Sequence, residues 1–261
     1  MKKFEFIEKP FMLDDDLSLA IVDKRVTKKM KNSLKNKNIE IIETVECKNV
    51  YESIKYHPDI AVCSLGDGNI VVEPTLYGEY KKLLDEFCFN IIKGETKLGS
   101  KYPSNIAYNT AIFGEYAIHN FNYTDKTILE YVAKNKLNMI NVAQGYSKCS
   151  ICIVDDNSII TSDAGIYKAV QNTGIDCLLI EEGHIDLFDM NHGFIGGCSG
   201  LISRSELAFF GDIRRHPSYS QIKNFVYSKE KDIAILSDEH LLDLGSIVPL
   251  ATKRKEHADD R

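Results

Sequence analysis

Three stretches of this chain set chemically useful side chains at short spacing. His57-Pro58-Asp59 puts an imidazole two residues from a carboxylate, and Ser147-Lys148-Cys149-Ser150 puts a thiol beside an ammonium group. The run GFIGGCSGLI, which begins at Gly193, surrounds a second thiol, Cys198, with glycines. A thiolate favoured by a neighbouring cation is a nucleophile. An imidazole carries protons to and from the reacting atoms, and a carboxylate holds N–H groups through charge-assisted hydrogen bonds. Each stretch also has a structural reading. A cysteine in an alternating strand is a small buried hydrophobe, His-Pro-Asp is a turn whose φ Pro58 fixes, and glycines around Cys198 relieve backbone crowding. His184, Asp186 and His192 are spaced more like exposed turn residues than like a chelating set.

What brings such separated stretches together is a repeat. Asp59, Asn105, Cys149 and Gly193 each open a short apolar run, at starts 46, 44 and 44 residues apart. A second strand follows each run: NIVVEP (69–74), EYAIHN (115–120), NSIITSD (157–163) and ELAFFGD (206–212), with SLAIVD (18–23) as the copy near the start of the chain. Each second strand leads into an amphipathic stretch of helical length and then a third strand: IEII, FNII, LNMI, DCLLI and DIAIL. Thr75, Thr124 and Ser162 are expected N-caps, and Gly66–Gly68 and Asp155–Asn157 are expected hairpin turns. The unit is thus ββαβ, repeated five times over about 1–47, 57–98, 103–145, 147–183 and 191–237.

One such unit cannot bury its sheet alone, so copies pack side by side. The expected fold is an α/β, five-bladed β/α propeller forming a single domain over 1–250, with a polar tail at 251–261; the alternative is an open α+β sandwich. In a ring, the starts of the innermost strands face the axis, which gathers Asp59, Asn105, Cys149 and Gly193, with His57 and Lys148 close by.

Composition narrows the class. The chain has 261 residues, 44% hydrophobic and 27% charged, which is ordinary globular composition. Thirty-two basic against 38 acidic residues leave −6, so no nucleic-acid partner is expected. No membrane association is expected either, because no apolar run is long enough to span a bilayer and no signal h-region follows Met1. Seven cysteines, an odd number, read as reduced thiols of a cytoplasmic protein. Cys149 and Cys152 form the single C-x-x-C, but KCSICIV alternates like a strand, against a zinc or redox motif. No phosphate loop or dinucleotide fingerprint occurs, and no metal or cofactor is expected.

The repeat, together with these motifs, resembles the pentein or guanidino-group-modifying superfamily, which includes arginine and agmatine deiminases, dimethylarginine dimethylaminohydrolase, amidinotransferases and the non-enzymatic translation initiation factor 6. The resemblance follows the order of Lys24-Arg25, then His57-Pro58-Asp59, then a plain blade at 103–145, then Lys148-Cys149-Ser150. It implies a cysteine-dependent hydrolase or amidinotransferase acting on a small guanidino or amidino compound through a covalent thiol intermediate. Cys149 would attack, His57 would be the acid and base, Asp59 would hold the substrate nitrogens, and Arg25 would pair with a substrate carboxylate. Asn105 and Lys148 would help bind the ligand, and Glu8 would fill an acidic position of the first blade. Cys198 is the rival nucleophile, in a Gly-Gly context similar to that of the hydrolases. The leftover blade stands at the C-terminal end here, as in a circular permutation. The alternative reading is a non-catalytic binding protein of the same fold, like the initiation-factor branch.

Overall fold

The structure is a computed structural model and describes residues 4–253. Strands β1 (Phe4–Phe6) and β2 (Leu17–Val22) are followed by helix α1 (Lys28–Asn36) and β3 (Glu40–Glu43). The one-turn helix α2 (Pro58–Ala61) introduces β4 (Val62–Gly66), β5 (Asn69–Val72), α3 (Tyr77–Leu83) and β6 (Asn90–Lys93). Next come β7 (Ala111–Phe113), β8 (Tyr116–His119), α4 (Lys126–Lys134) and β9 (Asn138–Asn141). A second one-turn helix, α5 (Ser147–Ser150), introduces β10 (Ile151–Asp155), β11 (Ser158–Thr161), α6 (Ala164–Val170) and β12 (Asp176–Leu179). Then β13 (Ser199–Leu201), β14 (Glu206–Phe209), α7 (Tyr219–Ser228) and β15 (Asp232–Ile235) precede the last strand, β16 (Val248–Lys253).

These strands form five small sheets: β4-β5-β6, β7-β8-β9, β10-β11-β12, β13-β14-β15, and a four-stranded β1-β16-β2-β3. In each three-stranded sheet the first two strands are an antiparallel hairpin and the third returns parallel after a helix, because a parallel neighbour can be reached only by a crossover. The β4–β5 turn places Asp67 and Gly68 at φ 48° and 73°, the left-handed pair of a type I′ hairpin. Each longer helix buries an i, i+4 pair against its sheet, such as Met30 and Leu34, Ile128 and Val132, Ile166 and Val170, or Ile222 and Val226. The first strands touch in succession, β7 with β10, β10 with β13, β13 with β16 and β16 with β4. Their ends therefore converge.

Several expectations shift by a few residues. The first strands begin at 62, 111, 151 and 199 rather than at 59, 105, 149 and 193, because turns or one-turn helices intervene and point the preceding polar residues inward. The caps of α4 and α6 are Asp125 and Asp163, one residue after Thr124 and Ser162, because their carboxylates accept from Thr127 N (2.9 Å) and Ile166 N (2.8 Å). Thr75 gives way to Leu76 at the start of α3; its N–H and hydroxyl are taken by Glu73.

The larger correction concerns the first unit. The antiparallel partner of β2 is β16 and not a strand from the start of the chain. β1 is short, and its aromatic rings turn to the neighbouring unit, where Phe6 lies 4.6 Å from Phe89 between ring centroids. Residues 251–253, expected in a tail, are strand, and Ala251 is fully buried; the rest of that tail, 254–261, lies outside the described residues. Pro249 is accommodated in this central strand because a register irregularity falls beside it. Leu250 is 1% exposed, so Leu250→Ala is expected to cost about 2–5 kcal/mol of unfolding free energy. Lys253→Ala, which removes an exposed ion pair with Asp16, is expected to cost at most ~1 kcal/mol. Urea titration of both variants checks this.

Candidate active site

The convergence of the first strands carries three polar segments into the interior. Helix α2 starts with Pro58 at its first position, where a missing N–H costs nothing, and this fixes His57 as N-cap and Asp59 in the first turn. Helix α5 carries Lys148 and Cys149. The third segment, 243–246, leads into β16 and supplies Asp243 and Ser246. All six side chains are buried.

Asn109, just before β7, joins the first two segments. Its amide nitrogen donates to Asp59 O (2.9 Å) and to Cys149 Sγ (3.2 Å). Its amide oxygen accepts from Lys148 N (2.8 Å) and Cys149 N (3.2 Å). The Cys149 thiol lies 3.2 and 3.1 Å from the two Asp59 carboxylate oxygens. Lys148 Nζ donates to Ser246 Oγ (2.8 Å), which lies 2.9 Å from Asp59 Oδ2. His57, Asp59 and Cys149 each offer an atom within 4.8 Å of the others. These are also donor types that divalent metals take. His57 lies between two further carboxylates, with Nδ1 3.7 Å from Asp243 Oδ1 and Nε2 3.9 Å from Asp23 Oδ2, and neither ring nitrogen has a hydrogen-bond partner.

Burial and like charge set the protonation states. Burial, with the Arg25 charge nearby, pushes the His57 pKa down to about 3, so the imidazole rests neutral. Burial and then the Asp59 charge raise Asp243 to about 7. Burial raises Asp59 and lowers Lys148. Cys149 is raised well above an ordinary thiol by burial and by Asp59 and Asp243. The thiol therefore rests protonated and donates to Asp59. This departs from the expected Lys148-stabilised thiolate: Lys148 spends its ammonium on Ser246 and lies over the Phe11 ring at 4.7 Å.

A cavity of about 230 Å³ opens onto this cluster, lined by His57, Cys149 and Asp243 at its base and by Tyr51, Tyr146 and Phe194 among others above. Asn105 stands one layer back, accepting from Tyr146 OH (3.0 Å), which in turn pairs with Tyr51 OH (3.0 Å). Cys198 is outside the cavity wall; its thiol lies 3.3 Å from the Ile195 carbonyl within the apolar core. Arg25 is held by Asp23 through Nε (3.0 Å) and Nη2 (2.7 Å) and by the carbonyls of Glu52 and Ser53. Glu8 is exposed and lines a separate surface cleft with Asp14 and Asp155. His184 pairs with Glu181 at 3.2 Å and His192 with Glu182 at 3.4 Å.

Asp23, Asn109, Asp243 and Ser246 are the site residues that the repeat alignment passes over. The signal for the last two lies in the spacing of the first strands, which start at 62, 111, 151, 199 and 248: a fifth strand is due near 248, and the residues before it fall where His57-Asp59 and Lys148-Cys149 fall. Gly197 and Gly245 mark the same place. A Cβ on Gly197 would overlap the Asp243 carboxylate, and Gly245, at φ 67°, packs its backbone on His57.

The fold is shared with solved structures. The structure is similar to inosamine-phosphate amidinotransferase StrB1 from Streptomyces griseus (TM-score 0.58, 11% identity, 97% of this chain and 98% of that one). It is likewise similar to agmatine deiminase from C. jejuni (TM-score 0.54, 11% identity, 91% and 92%) and to the amidinotransferase SxtG from Microseira wollei (0.53, 10%, 88% and 91%). The chain thus has the pentein fold. No curated protein matches it by sequence. A model of the family of unknown function DUF6873 matches residues 21–248, and the chain belongs to that family. Among the described residues no helix is long and apolar enough to cross a membrane.

Two outcomes follow from the electrostatics. Asp59→Asn removes an anion that holds the Cys149 proton, so iodoacetamide should alkylate Cys149 several-fold faster at neutral pH in this variant; an equal or slower rate would contradict the assignment. His57, depressed to about 3 in the folded chain against 6.5, contributes stability that is present above pH 6.5 and lost as pH falls toward 3. Asp243, raised to about 7, acts with the opposite sign, its penalty being relieved as pH falls through 7. His57→Gln should therefore flatten the acid limb of a urea-midpoint profile between about pH 6 and 4, and parallel limbs would refute the buried neutral imidazole.

Proposed function

We propose that this chain is a cysteine-dependent enzyme that acts on a small guanidino or amidino compound, built as five blades around one axis with Cys149 at the centre. The observation that carries the reading is the Cys149 thiol 3.1–3.2 Å from the Asp59 carboxylate and within 4.8 Å of the unpartnered His57 imidazole, at the base of a cavity. The wheel is supported by the five sheets whose first strands touch in succession and by Asn109, which ties the segments before β4 and β10 together. The reactions named for the similar structures, agmatine deimination and amidine transfer, agree with the charge of the site. With Asp23 neutralised by Arg25, two further buried carboxylates, Asp59 and Asp243, face the one buried ammonium, Lys148, and a planar cation would redress that balance.

In this mechanism the cation's positive charge lowers the thiol pKa, and the Sγ proton moves to His57. Sγ bonds to the central carbon, one C–N bond breaks, and His57 returns the proton to the departing nitrogen. Asp59 holds the remaining N–H groups throughout. A water, or an acceptor amine, then gives its proton to His57 and adds to the carbon; the S–C bond breaks and Sγ regains a proton. Hydrolysis leaves a urea and an ammonium ion, and transfer leaves a new amidine.

Cys149→Ala and His57→Ala proteins should each lose at least ~100-fold in turnover of guanidino compounds while keeping the wild-type circular dichroism. Cys198→Ala should retain activity. Full activity in Cys149→Ala would remove the nucleophile.

A further inference from the structure

Resting on the reading above, the cavity also specifies the far end of the ligand. A guanidinium at the base of the cavity, between Cys149, His57 and Asp243, would direct its substituent toward a wall made of Tyr51, Ile54, Tyr146, Leu187, Met190 and Phe194, with Asn191 also in the lining. The charged or titratable groups reaching the lining besides Cys149 and these phenols are His57, Asp243 and His192. His57 is neutral at the base, Asp243 is acidic, and His192 faces Glu182 at 3.4 Å. Among the described residues, no lysine or arginine lines the cavity.

Arg25, the residue suited by sequence to receive a substrate carboxylate, has its fork filled. Asp23 takes Nε and Nη2 in the bidentate manner that a substrate carboxylate would need, and the carbonyls of Glu52 and Ser53 take Nη1 and Nη2. Phe188, next to Leu187 of the cavity wall, stacks on the guanidinium at 4.4 Å. An amino acid bound here would bring its carboxylate to a wall of rings and aliphatic side chains, near Asp243 and, among the described residues, with no lysine or arginine to pair with it. The volume, about 230 Å³, lies below the ~300–1,000 Å³ of ordinary ligand pockets.

We infer that the ligand is a small monosubstituted guanidinium or amidinium whose substituent is uncharged and apolar, an alkyl or aryl group, and not an α-amino acid. Arg25 is then a positioning residue for Asp23 and for the loop that carries Phe188.

Calorimetric titration of the wild-type protein with methyl-, ethyl-, propyl- and butylguanidinium, agmatine and arginine tests this. Affinity should rise about fourfold per added methylene, the factor that ~0.8 kcal/mol per buried CH₂ corresponds to, and butylguanidinium should exceed both agmatine and arginine. Phe194→Ala should reduce the gain along the series, with a smaller effect on methylguanidinium. A flat series, or arginine or agmatine binding more tightly than butylguanidinium, overturns the inference. If arginine binds best and is turned over by Cys149, the enzymatic reading stands and only the ligand class fails. If no guanidinium binds and none is turned over, both fail together.

Discussion

A buried carboxylate has to be given hydrogen-bond donors or a counter-charge, and the centre of this protein is arranged around that requirement three times over. Asp23 meets it with Arg25 and a backbone N–H. Asp243 meets it with the backbone N–H groups of Phe194 and Gly245. Asp59 meets it with the thiol of Cys149 and the hydroxyl of Ser246. Because the donors to Asp59 and Asp243 include groups from distant segments, Cys149, Ser246 and Phe194, the polar centre also ties the sheets together. The glycines at 197 and 245 follow from it, since side chains there would occupy the space of Asp243 and His57.

The same arrangement stores unfavourable electrostatics. Two acids beside a buried thiol hold its proton on, and burial holds His57 neutral. A cation entering the cavity would stabilise the thiolate and the carboxylates at once. By reciprocity, whatever favours the thiolate favours the cation. The raised pKa of Cys149 keeps its sulfur in the protonated, less reactive form at neutral pH.

Much of this was legible in residue order. Periodicity marks the ββαβ unit that the four three-stranded sheets show, and it brings Asp59 near Cys149, because each of these units repeats the same alternation of apolar run, turn and amphipathic helix. The role of β16 is hidden because VPLATK is short, contains Pro249 and runs into a polar tail, so the expected domain end at 250 cuts through it. Asp243 and Ser246 lie after the last expected repeat, 191–237, and so escape the alignment. Asn109 sits four residues past the aligned Asn105, and the turn before β7 decides which of the two amides points inward. Arg25 is expected to receive a substrate carboxylate, but the carboxylate two residues before it, Asp23, occupies its guanidinium instead. Contacts of that kind depend on side-chain direction at the end of β2, which spacing alone does not specify.

In the proposed mechanism, cation binding and ionisation of Cys149 are one coupled event. Its most direct test is the thiolate absorbance of Cys149, followed against pH as the difference between His57→Ala and His57→Ala/Cys149→Ser proteins, with and without saturating methylguanidinium. The account predicts that the ionisation midpoint falls when the cation is present. A midpoint that stays where it was would contradict it.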